Sequence, residues 1–359
     1  MSATQNSYAQ KLLKSVIKNE FAATAEDGIL GGDIKWYVDS GSYVLNALIS
    51  GSIYGGYPAN NITALAGESG CGKTFFALTA CKNFLDEDKE NIVLYFESEG
   101  AIRVEMLDKW GIDKSRFIIF PVVTVEQYRK QVIDLVESYD TKKDPKVFVV
   151  LDSLGNLSTE KEVSDIVNDT GKRDMTRAAL VKAAFRVITL KAAQKGIPLL
   201  LTNHTYTEIG SMYPKEIMSG GRGLVYTSST IVYLSKSKDK DGSEQVGVKL
   251  RATVPKSRLT IENSKVLTQV NFRTGLNRYF GLVPLACEAG IIKKSGTRYE
   301  WTDGKTYYEK HINANPDKFF TKEILDKIDE YTKSSFTYQG GQSDEDLIDE
   351  VEELNVEQE

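Results

Sequence analysis

"ITALAGESGCGKTFFALTACKNFL", residues 62–85, joins a short apolar run to a glycine-rich turn and then to a stretch with helical spacing. Its central eight residues, Gly67-Glu68-Ser69-Gly70-Cys71-Gly72-Lys73-Thr74, fit G-x-x-x-x-G-K-[ST] at every position. The order strand, turn, helix is the context that separates a phosphate-binding loop from a chance glycine-rich turn. Each residue type has a task. Gly67, Gly70 and Gly72 let the backbone curl so that its N–H groups face phosphate oxygens. The helix N-terminus behind them adds favourable partial charge. Lys73 reaches the β and γ phosphates of a nucleoside triphosphate, and the Thr74 hydroxyl takes one position on Mg2+.

Outward from this loop, five short apolar runs recur: ITALA (62–66), IVLYF (92–96), FIIF (117–120), VFVVL (147–151) and IPLLL (197–201). Segments of helical spacing separate most of them, such as VEQYRKQVIDLVESY and MTRAALVKAAFRVITLKAAQK. Strands buried on both faces read as runs rather than alternation. Strands alternating with helices imply βαβ units and a parallel sheet. STIVYLSKSKDKDGSEQVGVKLRATV (229–254) reads as a hairpin turning at Asp241-Gly242, and a further strand follows in LTQVNF. The fold class is α/β, with a mainly parallel central sheet extended by antiparallel strands.

A carboxylate at the end of a buried strand is needed to hold the metal and its water. "VFVVLD" supplies Asp152, a weak signal alone and a strong one after a phosphate loop. The metal set is therefore Thr74 and Asp152. Hydrolysis also needs a residue to orient or deprotonate water. "YFESEG" (95–100) offers Glu97 and Glu99. Glu99 lies further out, where strand ends meet the ligand crevice, so Glu99 is the candidate base and Glu97 a supporting polar group. Another long polar stretch, "NHTYTEIGSMYPKEIMSGGRG" (203–223), follows IPLLLT. Structureless loops of that length are uncommon in compact domains and are functional or disordered.

The 359 residues, 41% apolar and 26% charged, suit one large domain plus a smaller one. No apolar stretch has the length of a membrane span and the N-terminus lacks a signal-peptide core, which points to a cytoplasmic protein. Cys71, Cys81 and Cys287 are scattered, and His204 and His311 are the only histidines, so a disulfide framework and a histidine-rich metal site are excluded. The net charge of −5 hides an asymmetry: residues 341–359 carry nine acids and no base, leaving +4 on residues 1–340. The composition suggests four parts: a helical segment (1–30), a core (31–280), a small α+β domain (281–340) and an acidic disordered tail (341–359). The segment YAQKLLKSVIKNEFAATA (8–25) reads as an amphipathic helix that docks on a neighbouring subunit or folds back on its own domain.

Several further stretches carry a family resemblance. They are SGSYVLNALISGSIYGGYPANNITALAGESGCGKT, FVVLDSLGNLSTEKE followed by RDMTRAALVKAAFRVIT, LLLTNHTY, VPKSR, and GLVPLACEAGIIKKSG. In this order they resemble the RecA superfamily of strand-exchange recombinases, in particular its phage UvsX branch, over roughly residues 30–310. The resemblance implies a RecA-like core that binds ATP and Mg2+, hydrolyses ATP and exchanges DNA strands. It implies that His204 senses the γ-phosphate and that residues 205–223 and about 156–174 are two DNA-binding loops. Lys172, Arg173, Lys215 and Arg222 would contact DNA phosphates, with Gly220 and Gly221 allowing close approach; Lys161 and Gly223 fit the same work. Met212, Tyr213, Ile217 and Met218 would stack or wedge against bases. Lys256 and Arg258 in VPKSR would act in trans on the next protomer's ATP, joining Lys73 and Glu99 as catalytic residues. Such a head-to-tail contact closes a ring or opens into a helical filament. The implied partners are single- and double-stranded DNA, further copies of the chain, a loader protein and a single-strand-binding protein, with no membrane.

Two other readings stay open: a hexameric RecA-fold helicase or translocase, and a weakly hydrolysing regulatory paralogue. "SGGR" (219–222) does not make an ABC-type ATPase, because that signature would precede the metal-binding strand.

Overall fold

Aliphatic and aromatic runs become strands here because both faces of the sheet are covered. The computed structural model describes residues 11–12, 22, 24–29, 31–168, 176–207, 216–219 and 222–338. A two-stranded ribbon, β1 (Tyr37–Val38) with β2 (Tyr57–Pro58), flanks helix α1 (Tyr43–Ser50). The chain then alternates: β3 (Ile62–Gly67), α2 (Lys73–Glu87), β4 (Ile92–Glu97), α3 (Val104–Trp110), β5 (Phe117–Pro121), α4 (Val125–Ser138) and β6 (Val147–Asp152). Two helices, α5 (Glu160–Val167) and α6 (Arg177–Lys195), lead to β7 (Leu199–Thr207), β8 (Glu216–Met218) and α7 (Arg222–Thr227). The strands β9 (Thr230–Asp241), β10 (Glu244–Ser257), β11 (Lys265–Asn271) and β12 (Gly275–Leu276) finish the sheet. Across it the order is β12, β11, β10, β9, β3, β7, β6, β4, β5, with β8 paired to β7. Pairings from β9 through β5 are parallel, and those from β9 to β12 are antiparallel. The hairpin between β9 and β10 turns at Asp241 and Gly242, the latter at φ 64°.

Strand period decides which core each side chain enters. On β6, Phe148 and Val150 meet α2 residues such as Phe76 and Phe84, while Val149 and Leu151 meet Tyr128 and Val132 of α4 and Phe185 of α6. Each such large side chain contributes about 1.5–3 kcal/mol on burial. The run at β5 departs from the reading as a strand buried on both faces. It is an edge strand, and Ile118 and Ile119 are exposed.

Two segments read as loops carry regular structure. Residues 160–167 form α5, because the Thr159 side chain caps it by accepting from the Glu162 N–H at 3.0 Å. The strand after IPLLLT does not stop at Asn203. β7 runs on to Thr207, and β8 returns antiparallel to it, pairing Thr205 with Met218 and Tyr206 with Ile217. The backbone groups of the polar stretch are partly satisfied by this extension. Most of the 8–25 helix, Lys172, Arg173, Met212, Tyr213, Lys215, Gly220, Gly221 and the acidic tail lie outside the described residues.

After β12 come α8 (Leu282–Glu288), the small sheet β13 (Lys293–Ser295), β14 (Arg298–Glu300) and β15 (Thr306–Tyr307), then α9 (Glu309–Ala314), α10 (Pro316–Phe319) and α11 (Lys322–Ser335). Leu282, Trp301, Phe320 and Ile328 pack with Tyr43, Val44 and Ala47 of α1 in one cluster. Asp329 of α11 accepts from the Ser52 hydroxyl at 2.5 Å and the Ile53 N–H at 2.9 Å, fastening this region to the turn after α1.

Candidate nucleotide site at the strand ends

Parallel register brings the candidate residues into a row. Gly67 at the end of β3 lies beside His204 of β7. Asp152 at the end of β6 lies beside Glu97 of β4. Ligand crevices in open parallel sheets form at such C-terminal edges.

The loop between β3 and α2 has the conformation its glycines suggest. Gly70 and Gly72 hold φ of 70° and 90°. Gly67 is needed for space: a Cβ there would stand 2.4 Å from the Leu234 carbonyl oxygen and 2.6 Å from Cys71 Sγ. Lys73 is buried, and its Nζ donates to the carbonyls of Gly67 and Glu68, both at 2.9 Å. The ammonium is thereby held inside the curl of the loop.

Thr74 Oγ1 donates to Asp152 Oδ2 at 2.8 Å. With its proton fixed on the carboxylate, the hydroxyl oxygen keeps lone pairs for a cation. Asp152 is 4% exposed, and its side-chain partners among the described residues are neutral hydroxyls: Thr74, Tyr95 at 2.6 Å and Thr202. A buried carboxylate that forms no ion pair among the described residues suits a divalent cation. Thr74 and Asp152 therefore fit Mg2+, a hard cation that takes oxygen donors. Burial, with Asp152 beside it, pushes the Tyr95 phenol well above its ordinary value, so it remains an O–H donor.

Glu97 braces the following turn. Its carboxylate accepts from the backbone N–H groups of Glu99 at 3.0 Å, Gly100 at 2.9 Å and Ala101 at 2.9 Å. That fixes the turn carrying Glu99. Glu99 Oε1 accepts from the Ser153 hydroxyl at 2.6 Å and lies 3.1 Å from His204 Nε2. Ser153 is itself clamped, its N–H donating to Ser98 Oγ and its carbonyl accepting from the same hydroxyl. Asn203 turns to the opposite side, where its amide donates to the Ser219 carbonyl at 2.7 Å, tying β7 to the end of β8.

Lys256 and Arg258 are not beside the loop in their own chain. Lys256 pairs with Ile231, which pairs with Ala64, so it lies two strands away and roughly 10 Å back along β3. Its Nζ donates to the carbonyls of Val225, Tyr226 and Ser228, and Arg258 Nη2 donates to Tyr226 O at 3.3 Å. Both cations thus cap the C-terminal end of α7. Burial, followed by the charge of Arg258, lowers the Lys256 amine below its ordinary value.

Four site residues escape a reading along the sequence. Tyr95 looks like one more apolar residue in IVLYF, and Thr202 and Ser153 look like strand-end polar residues. Lys236 belongs to a hairpin rich in lysine, yet its Nζ donates to Gly70 O at 3.2 Å. The parallel pairing of Tyr233 with Ala66 explains this, since it carries β9 past the phosphate loop three residues later.

Comparison with known proteins agrees with this geometry. The family model of the RecA N-terminal domain matches residues 29–277. The "Recombination and repair protein" of Enterobacteria phage T4 is 37% identical over 252 residues, covering 70% of this chain and 63% of that protein. "Protein RecA" of Malacoplasma penetrans is 24% identical over 305 residues, 82% of this chain and 89% of that protein. "Protein RecA" of Cutibacterium acnes is 27% identical over 298 residues, 81% of this chain and 82% of that protein. With residues 67–74, Asp152 and the strands of the large sheet all in the span that matches, the chain belongs to the RecA family.

Proposed function

We propose that this protein is an ATP-dependent DNA recombinase that assembles on single-stranded DNA, pairs it with homologous duplex and exchanges strands. The observation that carries the proposal is the bridge Ser153–Glu99–His204, which joins the candidate base to the strand leading toward residues 208–215. The T4 relative, named for recombination and repair, supports it.

In this reading the amides of residues 67–74 and Lys73 hold the β and γ phosphates. Thr74 and Asp152 would hold Mg2+, which when bound would supply positive charge to the phosphate oxygens. Glu99 accepts a proton from water as the water oxygen bonds to the γ-phosphorus and the bond to the β–γ bridging oxygen breaks, giving ADP and phosphate. The Glu99 oxygen not held by Ser153 and His204 is the one available to that water. His204 conveys the presence of the γ-phosphate along β7, in an order–disorder kind of switch. Lys172, Arg173, Lys215, Gly220, Gly221 and Arg222 serve as DNA contacts, and binding weakens with salt as phosphate neutralisation frees counterions. Lys256 and Arg258 act on a neighbouring copy's nucleotide, which makes hydrolysis depend on head-to-tail assembly. The division at residues 30, 280 and 340, and a loader and single-strand-binding protein as partners, belong to the same proposal.

The test supplies single-stranded circles, ATP and Mg2+ with either a homologous or an unrelated linear duplex. The proposal expects joint molecules with the homologous duplex alone. Unwinding of both duplexes would establish a helicase or translocase instead.

A further inference from the structure

Asp152 is held from three directions. Thr74 reaches it from the helix α2, Tyr95 from β4 and Thr202 from β7, the strands on either side of β6. The alternation of the strands makes this possible. Tyr95 and the neighbouring Val93, Asp152 and the neighbouring Val150, and Thr202 and the neighbouring Leu200 all face α2. Tyr95 and Thr202 are fully buried, so neither hydroxyl can turn to water.

A carboxylate offers about four acceptor positions, two on each oxygen. Oδ2 is filled by Thr74 and Tyr95, and Oδ1 takes Thr202. Among the described residues, one position on Oδ1 is left over. Two of the three donors belong to strands of the sheet, and together the three hold the carboxylate against rotation. The donors are neutral, so they orient the charge without cancelling it.

We propose that Tyr95 and Thr202 are positioning residues for a divalent cation: they lock Asp152 so that it keeps the Thr74 proton and presents its remaining acceptor position to a metal-bound water. This rests on the nucleotide reading of the site and adds two residues that never touch the nucleotide. Their removal loosens the metal's support while leaving the phosphate loop intact. Loss of a partner behind a metal-binding group costs about 10–100-fold in metal affinity.

The experiment uses the full chain and a fluorescent, non-hydrolysable ATP analogue, titrated with Mg2+ and, separately, bound in EDTA. Tyr95→Phe is expected to raise the half-saturating Mg2+ concentration about tenfold or more and to keep the wild-type affinity in EDTA. Thr202→Val should shift in the same direction, and Thr202→Ser, which keeps the hydroxyl, should stay with the wild type. Should Tyr95→Phe fail to fold, the Thr202 pair decides. An unmoved Mg2+ midpoint overturns the proposal, as does an equal loss of affinity with and without Mg2+, which would mean general damage to the pocket. A wild type whose affinity ignores Mg2+ would instead sink the metal reading, and the clamp with it, and a wild type that binds no analogue in either condition would sink the nucleotide reading.

Discussion

Asp152 is 4% exposed and meets hydroxyls from three elements, whereas Glu99 keeps 27% of its side chain exposed and rests both side-chain contacts on one oxygen. Asp152 ends β6 and Glu99 sits in the turn just beyond the neighbouring β4, yet one is locked and the other is steered. A metal-holding group gains from rigidity, since any rotation spoils its geometry. A base that must await both water and a signal needs a contact that can be exchanged. His204, itself 33% exposed, provides that contact and lies on β7, the strand that continues into the β7–β8 pair.

Substitutions at the two carboxylates should separate these roles. Glu99→Gln is expected to lower kcat about 10²–10⁴-fold, the usual range for a general base, with Mg2+-dependent nucleotide binding retained. Asp152→Asn should lose both hydrolysis and Mg2+-dependent binding. Matching phenotypes, read from kcat beside binding titrations, would break the distinction between the halves.

The steering of Glu99 can be measured more finely. Ser153→Ala removes a hydrogen bond to a charged group, about 1.5–3 kcal/mol, and should lower kcat roughly 10–100-fold with little change in KM. Ser153→Thr, retaining the hydroxyl, should recover most of it. An effect on KM alone would place Ser153 in binding rather than in orientation.

A smaller effect is expected away from the crevice. Lys256→Ala strips the carbonyls of α7 of their cap and should cost about 1 kcal/mol of stability, read as a lowered urea midpoint. Its effect on hydrolysis should appear only in the assembled protein. A hydrolysis defect equally present at concentrations too low for assembly would contradict action in trans.

Much of the fold was legible because buried parallel strands declare themselves as runs, and each of the five runs is a strand. FIIF concealed its edge position, since exposure of Ile118 and Ile119 depends on which strand lacks a neighbour. Within the site, Lys73, Thr74, Asp152 and Glu99 could be read because motif and strand end mark them locally. Tyr95, Ser153 and Thr202 could not. Their contacts span 57, 54 and 50 residues and exist only through strand order and register. The capping of α7 by Lys256 and Arg258 was hidden for the same reason, the relevant carbonyls being about thirty residues away.

In the proposed function, nucleotide chemistry and DNA meet through His204. The most direct test of that link is the ratio of ATP hydrolysis with and without single-stranded DNA, for the wild type and His204→Ala. A strongly stimulated wild type and a variant whose ratio falls close to one are expected. A variant stimulated as much as the wild type, or a wild type indifferent to DNA, would contradict that link.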